Sequence, residues 1–204
     1  LPVEGAASIV GKNGIGKTTA IKILSGQTKP NFGSPGKELS EDEISSKLAI
    51  EMRRYFMRTK ETLKVSVKPQ YIDKIRSAFH GTVDELLKGM GDKQKVKDTI
   101  AKFAIEEILA RKISQLSGGE LQKVAIAAAY MKDADIYYFD EVTNFLDIEE
   151  RLRAAVILKE LSEHKSVLLA EHDMTILDYV SDYVYLIYGD ENVYGIVSQI
   201  KNAR

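Results

Sequence analysis

A glycine-rich segment near the start of the chain carries residue types that bind phosphate groups. Residues 11 to 19 fit the pattern G-x-x-x-x-G-K-[ST], in which backbone N–H groups surround phosphate oxygens at a helix N-terminus. In this pattern Lys17 neutralises the β- and γ-phosphates of a nucleotide, and Thr18 offers its hydroxyl to Mg²⁺. The predicted nucleotide-binding residues are Gly11, Lys12, Asn13, Gly14, Ile15, Gly16, Lys17, Thr18 and Thr19.

Two adjacent carboxylates, Asp140 and Glu141, follow an apolar run that predicts a buried strand. At the end of such a strand, Asp140 is expected to hold Mg²⁺ through water. Glu141 beside it is expected to orient and polarise an attacking water. A solvated acidic turn explains the pair equally well in isolation, but the phosphate-binding segment favours the catalytic interpretation.

A second candidate anion site begins at Ser117, in the segment Leu-Ser-Gly-Gly-Glu that precedes a predicted helix. A capping serine followed by flexible glycines would also explain this segment alone. Together, the phosphate-binding segment, this segment, Asp140-Glu141 and a later His172 closely resemble the ABC ATPase superfamily. The resemblance implies that Ser117, Gly118, Gly119 and Glu120 cap an ATP held by a partner domain. It therefore implies hydrolysis of MgATP between two domains paired head to tail.

Three further positions receive roles from the same resemblance. Gln70 matches the glutamine that contacts Mg²⁺ and the attacking water, and so joins Thr18 and Asp140 in the predicted metal site. Asp147 matches an aspartate that acts across the interface between the two domains. His172 matches the histidine that contacts the γ-phosphate. Catalytic roles are therefore expected for Lys17, Gln70, Glu141 and His172.

Less generic stretches resemble a particular branch, the ribosome-recycling ABC proteins or RNase L inhibitors (subfamily E), and their first nucleotide-binding domain. These stretches are Lys-Pro-Gln-Tyr-Ile-Asp from residue 68, Glu-His-Asp and its continuation to residue 182, and the two Tyr-Gly pairs at 188 and 194. The resemblance implies a second ABC domain, the small ribosomal subunit with its rRNA, and release or recycling factors as partners. It also implies iron–sulfur clusters, which are expected only in an N-terminal domain outside this sequence because the chain has no cysteine.

The segment from Ser40 to Lys64 corresponds in this branch to a helix-loop-helix insertion that contacts small-subunit ribosomal RNA. Capping residues at its start predict helical structure over 41–58, and one continuous helix is an alternative to two. Its basic residues form the predicted RNA contact, although a solvated helix face is the simpler interpretation of composition alone. These residues are Arg53, Arg54, Arg58, Lys60 and Lys64.

The elements that must position these side chains alternate between strands and helices along the chain, which predicts an α/β fold with a mostly parallel sheet. Together with the resemblance, this indicates a P-loop NTPase of the ABC ATPase type. The 204 residues are expected to form one domain. Its core would comprise residues 1–39 and 132–204, with the basic insertion at 40–62 and a helical lobe at about 71–131 that presents the second anion site.

Composition and charge narrow the function classes. The formal net charge of −1 predicts no general attraction to nucleic acid or anionic lipid, so such contacts require a local patch. No apolar run approaches the roughly 20 residues that span a bilayer, and we expect a cytoplasmic protein with no membrane partner. Two alternatives stay open: an ATP-binding subunit of an ABC transporter, and a non-catalytic clamp on ribosomal subunits or initiation factors. Val142 stands where a proline usually follows the catalytic glutamate, which predicts a less rigid turn and slower hydrolysis.

Overall fold

A seven-stranded sheet organises the protein in the computed structural model, which describes residues 2–33 and 39–203. Residue 1, residues 34–38 and residue 204 of the predicted core lie outside the described residues. The strands are β1 (Ala6–Val10), β2 (Val65–Lys68), β3 (Ile136–Asp140), β4 (Ser166–Ala170), β5 (Tyr183–Asp190), β6 (Tyr194–Val197) and β7 (Lys201–Asn202). Their order is β2-β3-β4-β1-β5-β6, and β7 also pairs with β5. Neighbours from β2 to β5 are parallel, whereas β6 and β7 run antiparallel to β5, so the predicted mostly parallel α/β sheet is confirmed.

Helices connect the parallel strands and cover both faces of the sheet. They are α1 (Lys17–Leu24), α2 (Glu41–Lys47), α3 (Ile50–Glu61), α4 (Asp73–Ala78), α5 (Val83–Lys88), α6 (Lys93–Phe103), α7 (Gly118–Met131), α8 (Ile148–Ser162) and α9 (Met174–Val180). Short 3₁₀ turns occur at Glu106–Ile108 and Ile113–Gln115. No helix in the described parts of the chain is long and apolar enough to cross a lipid bilayer.

The central strands bury side chains on both faces, as expected of a sheet covered by helices on each side. On β3, Tyr137 and Phe139 pack in the larger core with α5 to α9. The alternate residue Tyr138 packs in a second core with Ile21 of α1 and Tyr55 of α3. The sheet is therefore held rigidly from both sides, and so are the loops at its edge.

The sequence predicted helical structure over 41–58, with one continuous helix as an alternative to the implied helix-loop-helix, and the structure contains two separate helices. Leu48 (φ −86°, ψ 143°) and Ala49 (φ −59°, ψ 154°) are extended and separate α2 from α3. The Arg53 guanidinium donates to the Leu48 carbonyl at 3.2 Å, which satisfies an acceptor freed by the break. The Tyr55 hydroxyl donates to the Leu24 carbonyl at 2.8 Å and contacts the Tyr138 hydroxyl. These contacts fix the direction of α3 independently of α2.

Four parallel strands bring the predicted chemistry to one edge of the sheet. β1 leads into the glycine-rich segment, β2 ends at Lys68, β3 ends at Asp140, and β4 is followed by Glu171 and His172. Adjacent strands are in register at this edge, with Lys68 opposite Phe139 and Asp140 opposite Ala170. Residues far apart in sequence therefore converge at the carboxyl ends of the strands, where ligands bind in open α/β sheets.

Candidate nucleotide-binding and hydrolysis site

The glycine-rich segment forms a loop that wraps around its own lysine. Gly14 (φ 71°) and Gly16 (φ 110°) adopt left-handed conformations that other residues rarely take, and Gly16 caps α1. The buried Lys17 ammonium donates to the carbonyls of Gly11 at 2.7 Å and Lys12 at 2.9 Å. Burial lowers the pKa of Lys17, while the nearby carboxylate of Glu141 opposes that shift. The loop therefore presents backbone N–H groups and one cation to an anionic ligand.

The β5–β6 hairpin supports this loop from behind. The Asn192 backbone N–H donates to the Gly14 carbonyl at 3.0 Å, and Asn192 (φ 59°) is itself left-handed. A Cβ atom placed on Gly195 of β6 would lie 2.4 Å from the Ile15 carbonyl oxygen. Only a glycine at position 195 lets the hairpin backbone approach the loop this closely.

Thr18, Gln70 and Asp140 offer three oxygen groups at one side of the loop. The Thr18 hydroxyl donates to Gln70 Oε1 at 3.3 Å. Burial raises the pKa of the Asp140 carboxyl, and a hydrogen bond from Thr18 opposes the shift. Hydroxyl, amide and carboxylate oxygens are hard ligands of the kind Mg²⁺ takes in company with substrate phosphates, so the residues fit that ion. Within the described residues, no group of three or more His, Cys, Asp or Glu side chains is arranged to hold a metal ion.

Glu141 is held in an unusual conformation with both carboxylate oxygens engaged. Its φ of 52° is left-handed, which is uncommon for a residue with a side chain. Gln70 Nε2 donates to one carboxylate oxygen at 2.7 Å, and Asn144 Nδ2 donates to the other at 2.6 Å. His172 Nε2 lies 3.7 Å from the oxygen that Gln70 contacts. Gln70, Glu141 and His172, predicted from separate parts of the sequence, therefore meet.

The backbone around Glu141 is held by side chains that the sequence analysis did not select. The Lys68 ammonium is fully buried and donates to the carbonyls of Asp140 and Glu141, both at 2.8 Å. Gln122 Nε2 donates to the carbonyls of Glu141 at 2.7 Å and Val142 at 2.8 Å. The turn expected to be less rigid because of Val142 thus receives four hydrogen bonds from two side chains.

Glu171 supports the same edge from β4. Its buried carboxylate accepts hydrogen bonds from the backbone N–H of Thr143 at 2.9 Å and of His172 at 2.7 Å. These bonds join the end of β4 to the turn after β3. A charged residue between a predicted buried strand and His172 was the signal available in the sequence.

These groups enclose one cavity of about 540 Å³. It contains most of the predicted phosphate-binding and catalytic side chains, together with Asn144 and Asn192, which sequence reasoning missed. Its lining residues are Asn13, Gly14, Gly16, Lys17, Thr18, Thr19, Gln70, Tyr71, Glu141, Asn144, His172 and Asn192. Asp140 lines an adjoining cavity that shares Thr18, Gln70 and Tyr71.

The second predicted anion site is not part of this cavity. Ser117 caps α7: its hydroxyl accepts from the Glu120 backbone N–H, and the Glu120 carboxylate accepts from the Ser117 backbone N–H. Gly118 and Gly119 pack against Phe145, whose carbonyl oxygen lies 2.8 Å from a Cβ built on Gly119. Asp147 caps α8 by accepting from the Glu150 N–H at 2.9 Å. Within this chain, residues 117–120 and 147 do not line the cavity of the glycine-rich loop.

The five predicted RNA-binding residues differ in what they contact. Lys60 pairs with Glu41 and Lys64 with Asp133, both at 2.7 Å, and Arg53 turns toward Leu48. Arg54 and Arg58 are exposed and four residues apart on α3. Neither forms an ion pair with a described residue, and the half-buried Arg53 forms none either, so Arg54 and Arg58 are the exposed unpaired cations of the cluster.

Comparison with known proteins identifies similar chains. A family described as ABC transporter matches residues 3–144. The translation initiation factor RLI1 of Saccharomyces cerevisiae is 43% identical over 198 residues, covering 93% of this chain and 33% of the yeast protein. A solved structure of an RNase-L inhibitor is 44% identical with a TM-score of 0.91, covering 100% of this chain and 40% of that chain. An archaeal ribosome recycling factor, solved with the archaeal ribosomal stalk protein aP1, is 44% identical with a TM-score of 0.91, covering 99% of this chain and 39% of that chain. The chain spans about a third of the length of the RLI1 protein and of similar curated relatives from Methanocaldococcus jannaschii and Arabidopsis thaliana.

Proposed function

The chain belongs to the ABC ATPase family and resembles the first nucleotide-binding domain of the E subfamily; from this we propose that it binds and hydrolyses MgATP to drive ribosome recycling within a longer protein. The observation that carries the proposal is the convergence of Lys17, Gln70, Glu141 and His172 on one cavity beside a phosphate-binding loop. Such a site has the cation, the base and the orienting groups that phosphoryl transfer to water requires.

The proposed chemistry assigns one task to each group. The loop N–H groups and Lys17 bind the β- and γ-phosphates, and His172 contacts the γ-phosphate from the opposite side. Glu141 orients the attacking water through a carboxylate lone pair that Gln70 and Asn144 leave free. Bound by Thr18, Gln70 and Asp140, Mg²⁺ would supply charge neutralisation at the phosphates. Gln70 contacts both the metal-site hydroxyl of Thr18 and Glu141, so it can report the presence of the γ-phosphate to the base.

The complete site is proposed to form between two domains. Ser117 to Glu120 lie at the start of a 14-residue helix whose N-terminus favours an anion, but they lie outside the cavity of their own chain. A second ABC domain placed head to tail would bring this segment and Asp147 to the partner's nucleotide. ATP would then draw the two domains together, and product release would let them separate.

We also propose that Arg54 and Arg58 contact the RNA of the small ribosomal subunit. They are the exposed, uncompensated cations on α3, and Tyr55 anchors that helix to the core between them. Phosphate contacts from such a rigid pair would contribute affinity that falls as salt concentration rises. Release or recycling factors would bind elsewhere on a cytoplasmic protein, and any iron–sulfur clusters would be ligated by residues outside this cysteine-free chain.

Co-sedimentation with small ribosomal subunits, with and without a non-hydrolysable ATP analogue, tests the ribosomal part of the proposal. The pair Arg54→Glu and Arg58→Glu should abolish nucleotide-dependent binding. The matched control pair Lys93→Glu and Lys97→Glu makes the same charge change, at the same spacing, on exposed positions of α6. Equal loss in both pairs would mean a general charge effect. Absence of binding by the wild-type chain would return the transporter subunit as the better explanation.

A clamp that binds ribosomal subunits in response to ATP, with turnover incidental, is a second candidate. It is favoured by the hydrogen bonds from Gln70 and Asn144 to the two oxygens of Glu141, because each bond takes up acceptor capacity that an attacking water would otherwise use. Ribosome binding and release that are unchanged in a Glu141→Gln variant would support the clamp. Release that stops in this variant would support hydrolysis as the driving step.

A further inference from the structure

Lys68 is a charged residue placed where charge is expensive. It ends β2, it is fully buried, and it does not line the nucleotide cavity. Burial lowers the pKa of Lys68 to about 8, although the nearby carboxylates oppose the shift. A buried ammonium needs hydrogen-bond acceptors, and the two acceptors here are the backbone carbonyls of Asp140 and Glu141, both at 2.8 Å.

These two carbonyls belong to the residues that the proposed chemistry requires at the end of β3. Glu141 is left-handed, a conformation that is strained for a residue with a side chain and persists only where the surroundings enforce it. Gln122 of α7 donates to the Glu141 carbonyl and to the next carbonyl, that of Val142. Three successive carbonyls are therefore held by side chains from β2 and α7. Hydrogen bonds with a charged donor are the stronger kind, so Lys68 is the stronger of the two supports.

We propose that Lys68 is a positioning residue for hydrolysis: by holding the carbonyls of Asp140 and Glu141, it fixes the left-handed turn that directs the Glu141 carboxylate into the nucleotide cavity. This inference rests on the proposed ATPase function and adds a residue to it. Lys68 touches neither the nucleotide nor the water. It acts through the backbone of Glu141, so its loss should slow the chemical step and leave nucleotide binding unchanged.

Lys68→Met tests the proposal, because methionine has a similar length and no hydrogen-bond donor. MgATP affinity, single-turnover hydrolysis and thermal unfolding would be measured on the same preparations. We expect hydrolysis to fall by at least about tenfold, while the Kd for MgATP stays within about twofold. Lys97→Met, the same substitution at an exposed position of α6, should leave all three quantities unchanged.

A double-mutant cycle separates positioning from a structural role. If Lys68 acts through the base, Lys68→Met should slow hydrolysis no further when Glu141 is already changed to Gln. Equal loss in both backgrounds, or a parallel loss of MgATP affinity, would overturn the proposal. Wild-type turnover in Lys68→Met would overturn it while leaving the ATPase function intact, whereas a wild-type chain that binds no MgATP would overturn both.

A second variant covers the case in which Lys68→Met does not fold. Gln122→Met keeps the buried volume and removes the donors to the carbonyls of Glu141 and Val142. The same signature is expected: slower hydrolysis, unchanged MgATP affinity and no further loss in the Glu141→Gln background. Normal hydrolysis in a folded Gln122→Met variant would contradict the claim that these carbonyls must be held.

Discussion

Gly195→Ala should weaken ATP binding although residue 195 contacts no nucleotide. A Cβ at this position would lie 2.4 Å from the Ile15 carbonyl oxygen and 2.9 Å from Ile187 Cγ2. Ordinary contact begins at 3.4 Å, so the hairpin and the loop must separate by about 1 Å. Ile15 lies between Gly14 and Gly16, whose backbone is expected to surround the phosphates. A displacement of that size would break hydrogen bonds that require distances near 3 Å.

The magnitude follows from the clash. Overpacking of this kind costs about 1–3 kcal/mol. If the loop relaxes and the cost appears in binding, the Kd for MgATP should rise by about 5- to 150-fold, at roughly 1.4 kcal/mol for each factor of ten. If the loop does not relax, the same cost should appear as a lower free energy of unfolding. Isothermal titration and chemical denaturation together measure both.

Gly89→Ala is the matched control. Gly89 has φ −72°, and an added Cβ would meet its nearest backbone atoms at 3.5 and 3.6 Å, which is ordinary contact. This variant should bind MgATP like the wild type. A Gly195→Ala variant with both unchanged affinity and unchanged stability would refute the conclusion that the hairpin sets the position of the loop.

Two further predictions concern Asn192, beside the glycine-rich loop, and Lys68, beneath the turn after β3. Asn192→Asp keeps a residue that tolerates the left-handed turn but places a carboxylate in the phosphate cavity, so the Kd for MgATP should rise about tenfold at low salt and less at high salt. The control Asn192→Gly should bind MgATP nearly normally. Equal affinities of the wild type and both variants would contradict the position of Asn192 in the phosphate cavity. The pKa of Lys68 is about 8 in the folded chain, against 10.5 for a free lysine. Between these two pH values Lys68 holds its proton in the unfolded chain but not in the folded one, so the free energy of unfolding should rise with pH. The free energy of unfolding of the wild type relative to Lys68→Met, measured in urea, should therefore increase by about 3 kcal/mol from pH 8 to pH 10.5, and a flat difference would contradict the buried charge.

The placement of the chemical groups could be predicted because it depends on local sequence and on one general rule. Apolar runs near Gly11, Asp140 and His172 and an alternating segment before Gln70 predicted strands in a mostly parallel sheet. Parallel strands end at one edge of the sheet. Because Gln70, Glu141 and His172 each follow a strand at this edge, they are expected to lie close together, as they do. Neither the left-handed conformation of Glu141 nor its contact with Asn144 was predicted, because both depend on the turn that follows β3.

Lys68 could not be predicted as a buried positioning residue, because the alternating pattern of β2 indicates a solvent-exposed lysine. Val65 and Val67 alternate with Ser66 and Lys68, which usually indicates one buried and one solvated face. Here both faces are covered: Ser66 donates to the Ala129 carbonyl of α7 at 2.7 Å, and Lys68 is buried on the same side. The partners of Lys68 are backbone carbonyls more than 70 residues away, and no side-chain pattern records them.

The break between α2 and α3 was implied by the resemblance to a helix-loop-helix, whereas local sequence left one continuous helix open. Leu48 and Ala49 carry no glycine or proline signal, so local propensity favours a continuous helix. The break depends on distant contacts, namely Tyr55 with Leu24 and Tyr138 in the core.

Single-turnover phosphate release from MgATP, measured over a range of chain concentrations for the wild type and Glu141→Gln, tests the central claim most directly. For the wild type, the rate should rise with chain concentration, because the proposed site is complete only when two domains pair. The Glu141→Gln variant should bind MgATP with a Kd within about twofold of the wild type, release phosphate at least about a hundredfold more slowly, and accumulate as an ATP-bound pair. Normal phosphate release by Glu141→Gln, or a wild-type rate independent of concentration, would contradict the assignment of Glu141 and of the shared site.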